Sequence, residues 1–171
     1  SIPSAPDDWG TLLSSAGVGP DDHLVAYDDT NGVFAARFLV TALLYGHPRE
    51  RLHLLDGDYS AWARTRATTT APVDPEPTAY EPRPVADAPL VDFETVREAV
   101  TEGSALVVDT REPEEFAAGH LPGAVQFDWR ELVDEDTRGL RSPDDARAVL
   151  ETRGITPDRR LLLNCNTARR I

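Results

Sequence analysis

Four short apolar runs, separated by helical stretches and polar loops, restrict this chain to one kind of fold. They are Leu24 to Tyr27 (LVAY), Leu52 to Leu55 (LHLL), Ala105 to Asp109 (ALVVD) and the leucines of RRLLLNC near the end. Each is too short for a helix and rich in branched side chains, so each reads as a buried strand. Between them lie stretches with helical period and helical punctuation. A helix over about 32–45 ends against Gly46, a C-terminal cap glycine. An Asp-Gly turn and a short helix follow Leu55. VDFETVREAVTEG takes Asp92 as N-cap, and SPDDARAVLETRGI takes Ser142 as N-cap, Pro143 as first helical residue and Gly154 as stop. A short helix in EPEEFAAG leads through a Gly-His-Leu-Pro-Gly turn into one more strand. Strands alternating with helices predict an α/β fold with mainly parallel sheets flanked by helices.

The alternation is interrupted once. Residues 67–89 hold six prolines, from Pro72 to Pro89, and no apolar period, as expected of an extended, stiff linker. This divides the chain into 1–66, the linker 67–89 and 90–171. The flanking parts also share a pattern: GVGPDDHLVAYDDTNG lies over GITPDRRLLLNCNTAR, with Asp28 where Cys165 stands.

Composition limits the function classes. The 171 residues carry a formal net charge of −13, which disfavours nucleic acid and anionic membrane surfaces as partners. No apolar run is long enough to span a bilayer, and SIPSAPDDWG lacks the features of a signal peptide. One cysteine cannot build an internal disulfide framework, which points to a reducing compartment and a cytoplasmic location. The absence of methionine points to a fragment, or to modified methionines missing from the sequence as written. His23, His47 and His53 stand at no metal-ligand spacing, so no metal site is expected. DDTNG lacks the alternating ligands and distal Glu of a calcium loop and reads as a solvated turn, as does the acidic DEDTR.

The chemistry centres on Cys165. By itself, a cysteine after three leucines reads first as a small core residue. At the end of a parallel strand, however, it lies at the carboxyl edge of the sheet, where α/β proteins place their sites. A loop curling into a helix there would aim backbone N–H groups at the sulfur, and Arg169 and Arg170 add positive charge. Such settings lower a thiol pKa from ~8.5 to roughly 3.5–7.5. The thiolate is then a nucleophile toward electron-poor sulfur.

The segment VVDTREPEEFAAGHLPGAV, followed at a helix's distance by GITPDRRLLLNCNTARR, resembles the rhodanese domain of the sulfurtransferase family. The first half, YDDTNGVFAARFLVTALLYGH with LHLLDGDYSAW, resembles the non-catalytic half of tandem rhodaneses, including aspartate in place of cysteine. The resemblance implies two rhodanese-like domains, each incomplete in this chain, and transfer of a sulfane sulfur without a cofactor. Cys165 would take the sulfur as a persulfide from a small anionic donor, thiosulfate or 3-mercaptopyruvate, and pass it to cyanide or a thiol. Asn166, Thr167, Ala168, Arg169 and Arg170 would form the substrate-binding loop, with Arg169 and Arg170 on the anion. Asp109, Arg111 and His120 would support it, His120 through a structural hydrogen bond in its turn.

The loop departs from the family pattern. Ala168 stands where many members have glycine, and Cys165-Asn166-Thr167-Ala168 matches neither the thiosulfate nor the mercaptopyruvate loop type. Glu115 stands about where tandem members carry a donor-binding arginine. Related phosphatases need an arginine six positions after the cysteine, which is Ile171 here, so the spacing favours sulfur over phosphate. A non-catalytic binding module would have lost the cysteine, as the first half has at Asp28 but the second half has not.

Overall fold

The computed structural model describes residues 6–83, 85 and 90–166. They form two compact units, 1–89 and 90–171, each with its own core.

In the first unit, α1 (Pro6–Ser15) precedes β1 (Leu24–Ala26), α2 (Val33–Leu44), a 3-10 turn (Arg49–Arg51), β2 (Leu52–Leu54) and α3 (Asp58–Thr65). The two strands pair in parallel, Leu24 beside Leu52 and Ala26 beside Leu54. Trp9, Leu13, Ala42, Tyr45 and Tyr80 form the core, packed against Val18, Leu24, Phe38 and Leu52. The Trp9 ring lies 5.8 Å from Tyr45 and 5.3 Å from Phe38, centroid to centroid. Helix α1 was not anticipated, and it supplies the tryptophan at the centre of this core.

The proline-rich segment has no helix or strand over its described residues, but it is not a free spacer. Tyr80 inserts into the first core, its hydroxyl 3.1 Å from Nδ1 of the buried His47. The Thr78 amide donates to the Ser14 carbonyl, the Tyr80 amide to the Ser14 hydroxyl, the Arg83 amide to the Tyr45 carbonyl and the Val85 amide to the Leu44 carbonyl. Gly46, at φ 84°, makes room: a Cβ there would lie 2.2 Å from the Arg83 carbonyl oxygen. The segment is therefore a strap over the first unit.

In the second unit, α4 (Phe93–Glu102), β3 (Leu106–Asp109), α5 (Pro113–Ala117), β4 (Val125–Gln126), a 3-10 turn (Trp129–Leu132), α6 (Pro143–Glu151) and β5 (Leu161–Asn164) follow in order. The sheet order is β4-β3-β5, all parallel. All four β3 residues are buried because both faces are covered. Leu106 and Val108 face a cluster with Phe127 and Ile155, and Val107 faces another with Ala99 and Leu162. The anticipated caps form: Asp92 accepts from the Thr95 amide and Ser142 from the Asp145 amide. The DEDTR stretch is solvent-exposed at Glu135, Asp136 and Thr137 and forms an ordered turn. Asp134 accepts from the amides of Asp136 and Thr137, and the turn closes the Val133–Leu140 bridge.

Candidate active site

The order of the second sheet decides what meets Cys165. Asp109 ends β3 and Asn164 ends β5, directly paired, so the residues after both strands emerge together at the carboxyl edge. Cys165 is the next residue, a partly buried thiol that forms no disulfide. Thr110 fastens the two strand ends through its amide (2.9 Å) and hydroxyl (3.0 Å), both donating to the Asn164 carbonyl.

Asp109 is fully buried and holds Arg111. Arg111 Nη2 lies 2.6 Å from Oδ2, Nε lies 2.9 Å from Oδ1, and the Arg111 amide donates to Oδ1. Burial pushes the Asp109 carboxyl up, but the Arg111 hydrogen bonds and charge outweigh it, and the net direction is down. Arg111 is held above its ordinary range, first by its Asp109 hydrogen bonds, with attraction from Glu115 and Cys165. Its Nη2 also donates to the Gly119 carbonyl, 2.7 Å, which ties the Gly-His-Leu-Pro-Gly turn to the strand end. His120 stacks on Phe116, 3.7 Å between centroids, with Nδ1 2.9 Å from the Phe116 carbonyl. His120 thus ties the turn to α5.

Asn166 donates from Nδ2 to Glu115 Oε1. The other Glu115 oxygen accepts the Glu112 amide at 2.9 Å in the capping box of α5. Glu115 therefore joins this helix to the segment after Cys165. Neither this link nor Thr110 was anticipated; the only sequence signal was the E-x-x-E capping pattern, which is local. Thr167, Ala168, Arg169 and Arg170 lie outside the described residues.

In the first unit, Asp28 carries a different arrangement. Its Oδ1 accepts the amides of Thr30 (2.7 Å) and Gly32 (2.8 Å), and Oδ2 those of Phe34 (2.8 Å) and Ala35 (2.9 Å). The DDTNG loop can wrap so tightly because Asn31 and Gly32 take φ of 57° and 84°. The buried Asp58 supports it, accepting from the amides of Asn31, Ser60 and Ala61. Burial raises the Asp28 carboxyl, and the four amides outweigh it and lower it. The solvated turn is in fact a closed anion cradle filled by its own carboxylate. Among the described residues, no group of three or more His, Cys, Asp or Glu stands at metal-binding distances. No helix among them is long and apolar enough to cross a membrane.

A small α/β unit with parallel strands, an Asp-x-Arg fork at the central strand end and a cysteine on the neighbouring strand is the architecture of a rhodanese-like domain. Residues 92–171 match the Rhodanese-like domain family model, and this part of the chain belongs to that family. Over nearly its whole length the chain is similar to particular sulfurtransferases. It is 32% identical over 171 residues to a thiosulfate sulfurtransferase of Pseudomonas aeruginosa, covering 95% of this chain and 62% of that protein. It is 31% identical over 172 residues to one of Azotobacter vinelandii, covering 94% and 61%. Among solved structures, SseA from Escherichia coli, a 3-mercaptopyruvate sulfotransferase with the rhodanese fold, superposes with a TM-score of 0.84 at 26% identity, covering 94% of this chain and 63% of that one. The chain thus spans about three-fifths of the length of the relatives it matches.

Proposed function

We propose that the protein containing this chain is a sulfurtransferase working through a persulfide on Cys165. The observation that carries the reading is the Cys165 thiol at the carboxyl edge of a rhodanese-like sheet, one residue beyond the strand paired to the Asp109–Arg111 fork. The Cys165 thiolate attacks the outer sulfur of thiosulfate; the new S–S bond forms as the old one breaks, and sulfite leaves with the electron pair. A thiol or cyanide then attacks the outer persulfide sulfur and returns the thiolate. The same cycle runs from 3-mercaptopyruvate, with pyruvate leaving. Relatives named thiosulfate sulfurtransferase and the SseA likeness support both donors. Arg169 and Arg170 are the proposed anion-binding residues of the loop. Asp109 and Arg111 hold the strand ends, and His120 the turn beside them. The first unit is a non-catalytic rhodanese-like domain, since Asp28 stands at the cysteine position with all four oxygen-directed amides taken by its carboxylate.

The test is intact mass after incubation with thiosulfate, beside Cys165→Ser. A gain of about 32 Da, one sulfur atom, on the parent only, removed by cyanide as thiocyanate forms, is the expected result. If neither donor leaves an adduct and an aryl phosphate is hydrolysed, the sulfurtransferase reading fails.

A further inference from the structure

We propose that His23 and His53 form a two-histidine site for a tetragonal divalent cation, Cu2+ first and Ni2+ after it, on the exposed face of the first unit's sheet. The site lies outside the Cys165 chemistry and does not depend on it.

Strand pairing builds the site. The two histidines are thirty residues apart in the chain, so no sequence spacing marks them as ligands. Strands β1 and β2 run parallel, with Leu24 beside Leu52 and Val25 beside His53. Side chains alternate along a strand, so His23, one residue before Leu24, faces the same way as Val25 and His53. All three are exposed. The imidazoles stack with centroids 5.2 Å apart and planes at 17°, and His23 Nδ1 lies 2.9 Å from His53 Nε2. His47 is the contrast: it is buried, with Nδ1 on the Tyr80 hydroxyl and Nε2 on the Asp22 carbonyl, so both its nitrogens are engaged.

The 2.9 Å separation selects the coordination geometry. Metal–imidazole bonds of about 2.0–2.1 Å at a right angle put their nitrogens about 2.8–3.0 Å apart, whereas a tetrahedral angle needs about 3.3–3.4 Å. Cis positions of a tetragonal ion therefore fit the pair through rotation of the rings alone, while a tetrahedral ion such as Zn2+ must spread them. Tetragonal nitrogen and oxygen sites suit Cu2+ and Ni2+, and Cu2+ stands highest in affinity among divalent first-row ions. As the pair stands, one nitrogen donates and the other accepts, so a single N–H lies between them. Coordination needs a lone pair on both. The donor ring loses that proton to water and takes one back on its outer nitrogen, so two neutral rings bind the cation without net proton release. Water fills the remaining positions on the ion. The formal net charge of −13 favours a cation as ligand.

Titration of the full chain with CuSO4, followed by calorimetry and by the EPR spectrum of the bound ion, is the test. Cys165→Ser serves as the background, because a thiol is itself a copper ligand. One equivalent of Cu2+ is expected to bind, with the superhyperfine splitting of two coordinated nitrogens. His23→Ala and His53→Ala should each abolish that step. His23→Gln and His53→Gln keep a polar side chain of similar length and should abolish it too, which separates loss of a ligand from loss of packing. Both histidines are exposed, so without metal all four variants should unfold at the parent's urea midpoint. Cu2+ should raise that midpoint in the parent alone, because the ion binds only where the two strands are paired. Ni2+ should bind less tightly, and Zn2+ less tightly than Cu2+. A one-equivalent site that survives loss of either histidine would overturn the proposal. So would the lack of such a step in the parent, or Zn2+ binding at least as tight as that of Cu2+.

Discussion

Replacing Asp28 with alanine removes one carboxylate and leaves four backbone amides facing each other across an emptied loop. The four bonds measure 2.7–2.9 Å and are all charge-assisted. A hydrogen bond to an ionised group contributes about 1.5–3 kcal/mol, which would sum to roughly 6–12 if each were fully lost. Asp28 is only partly buried, so water replaces much of that, and the loop can relax. Loss of a helix N-cap alone costs about 0.5–2 kcal/mol. The expected cost of Asp28→Ala is therefore about 2–3 kcal/mol. Asp28→Asn keeps one acceptor but sets an NH2 group against two N–H donors, and should cost about 2 kcal/mol. Urea unfolding of a Trp129→Phe background reads the first unit through Trp9, which is buried there, and Trp62. A midpoint shift of about 1–2 M is expected, from slopes of about 1–3 kcal/mol/M. The pH dependence separates the charge from mere packing. Because the folded carboxyl is lowered from its ordinary 3.8, its stabilisation is complete above that value and is lost as pH falls through the lower folded value. The gap between parent and Asp28→Asn should thus be full at neutral pH and close in acid below 3.8. Variants within about 0.5 kcal/mol of the parent at pH 7, an ordinary surface effect, would refute the cradle, as would a gap that acid leaves unchanged.

The strap makes two further predictions. Gly46→Ala forces a Cβ against the Arg83 carbonyl at positive φ, and should cost about 2–4 kcal/mol, with hydrogen exchange rising at the Arg83 and Val85 amides. Tyr80→Phe strips the Nδ1 partner from buried His47 and should cost about 1–2 kcal/mol by urea unfolding. At the candidate site, Asp109→Asn breaks the fork on Arg111 and should lower Tm by about 5 °C or more. That difference should also fade in acid, because the Asp109 carboxyl is lowered and its stabilisation exists only while it is ionised.

What the sequence determined by itself is what neighbours along the chain can settle. The strand runs, the Asp92 and Ser142 caps, Pro143 at a helix start and Gly46 at a helix end all act within a few residues, and each is found where its local chemistry requires it. The place of the cysteine was legible too, because a cysteine after a run of leucines and an Asp-x-Arg pair are both written in short motifs. Even so, the wrap of the DDTNG loop around Asp28 was missed, although it is local. Its period is neither helical nor alternating, and it shows only in the positive φ of Asn31 and Gly32. Tertiary structure decided the rest. Residues 67–89 read as a spacer because proline suppresses every periodic signal, yet Tyr80 finds its place against His47 and Ser14, thirty-three and sixty-six residues away in the chain. The order β4-β3-β5 is set by which faces the helices cover, and it alone brings Asn164 beside Asp109. Glu115 meets Asn166 across fifty-one residues, through a contact that no spacing encodes. Hydrogen bonds between distant residues leave no pattern in composition or period, so they exist only once the sheet has closed.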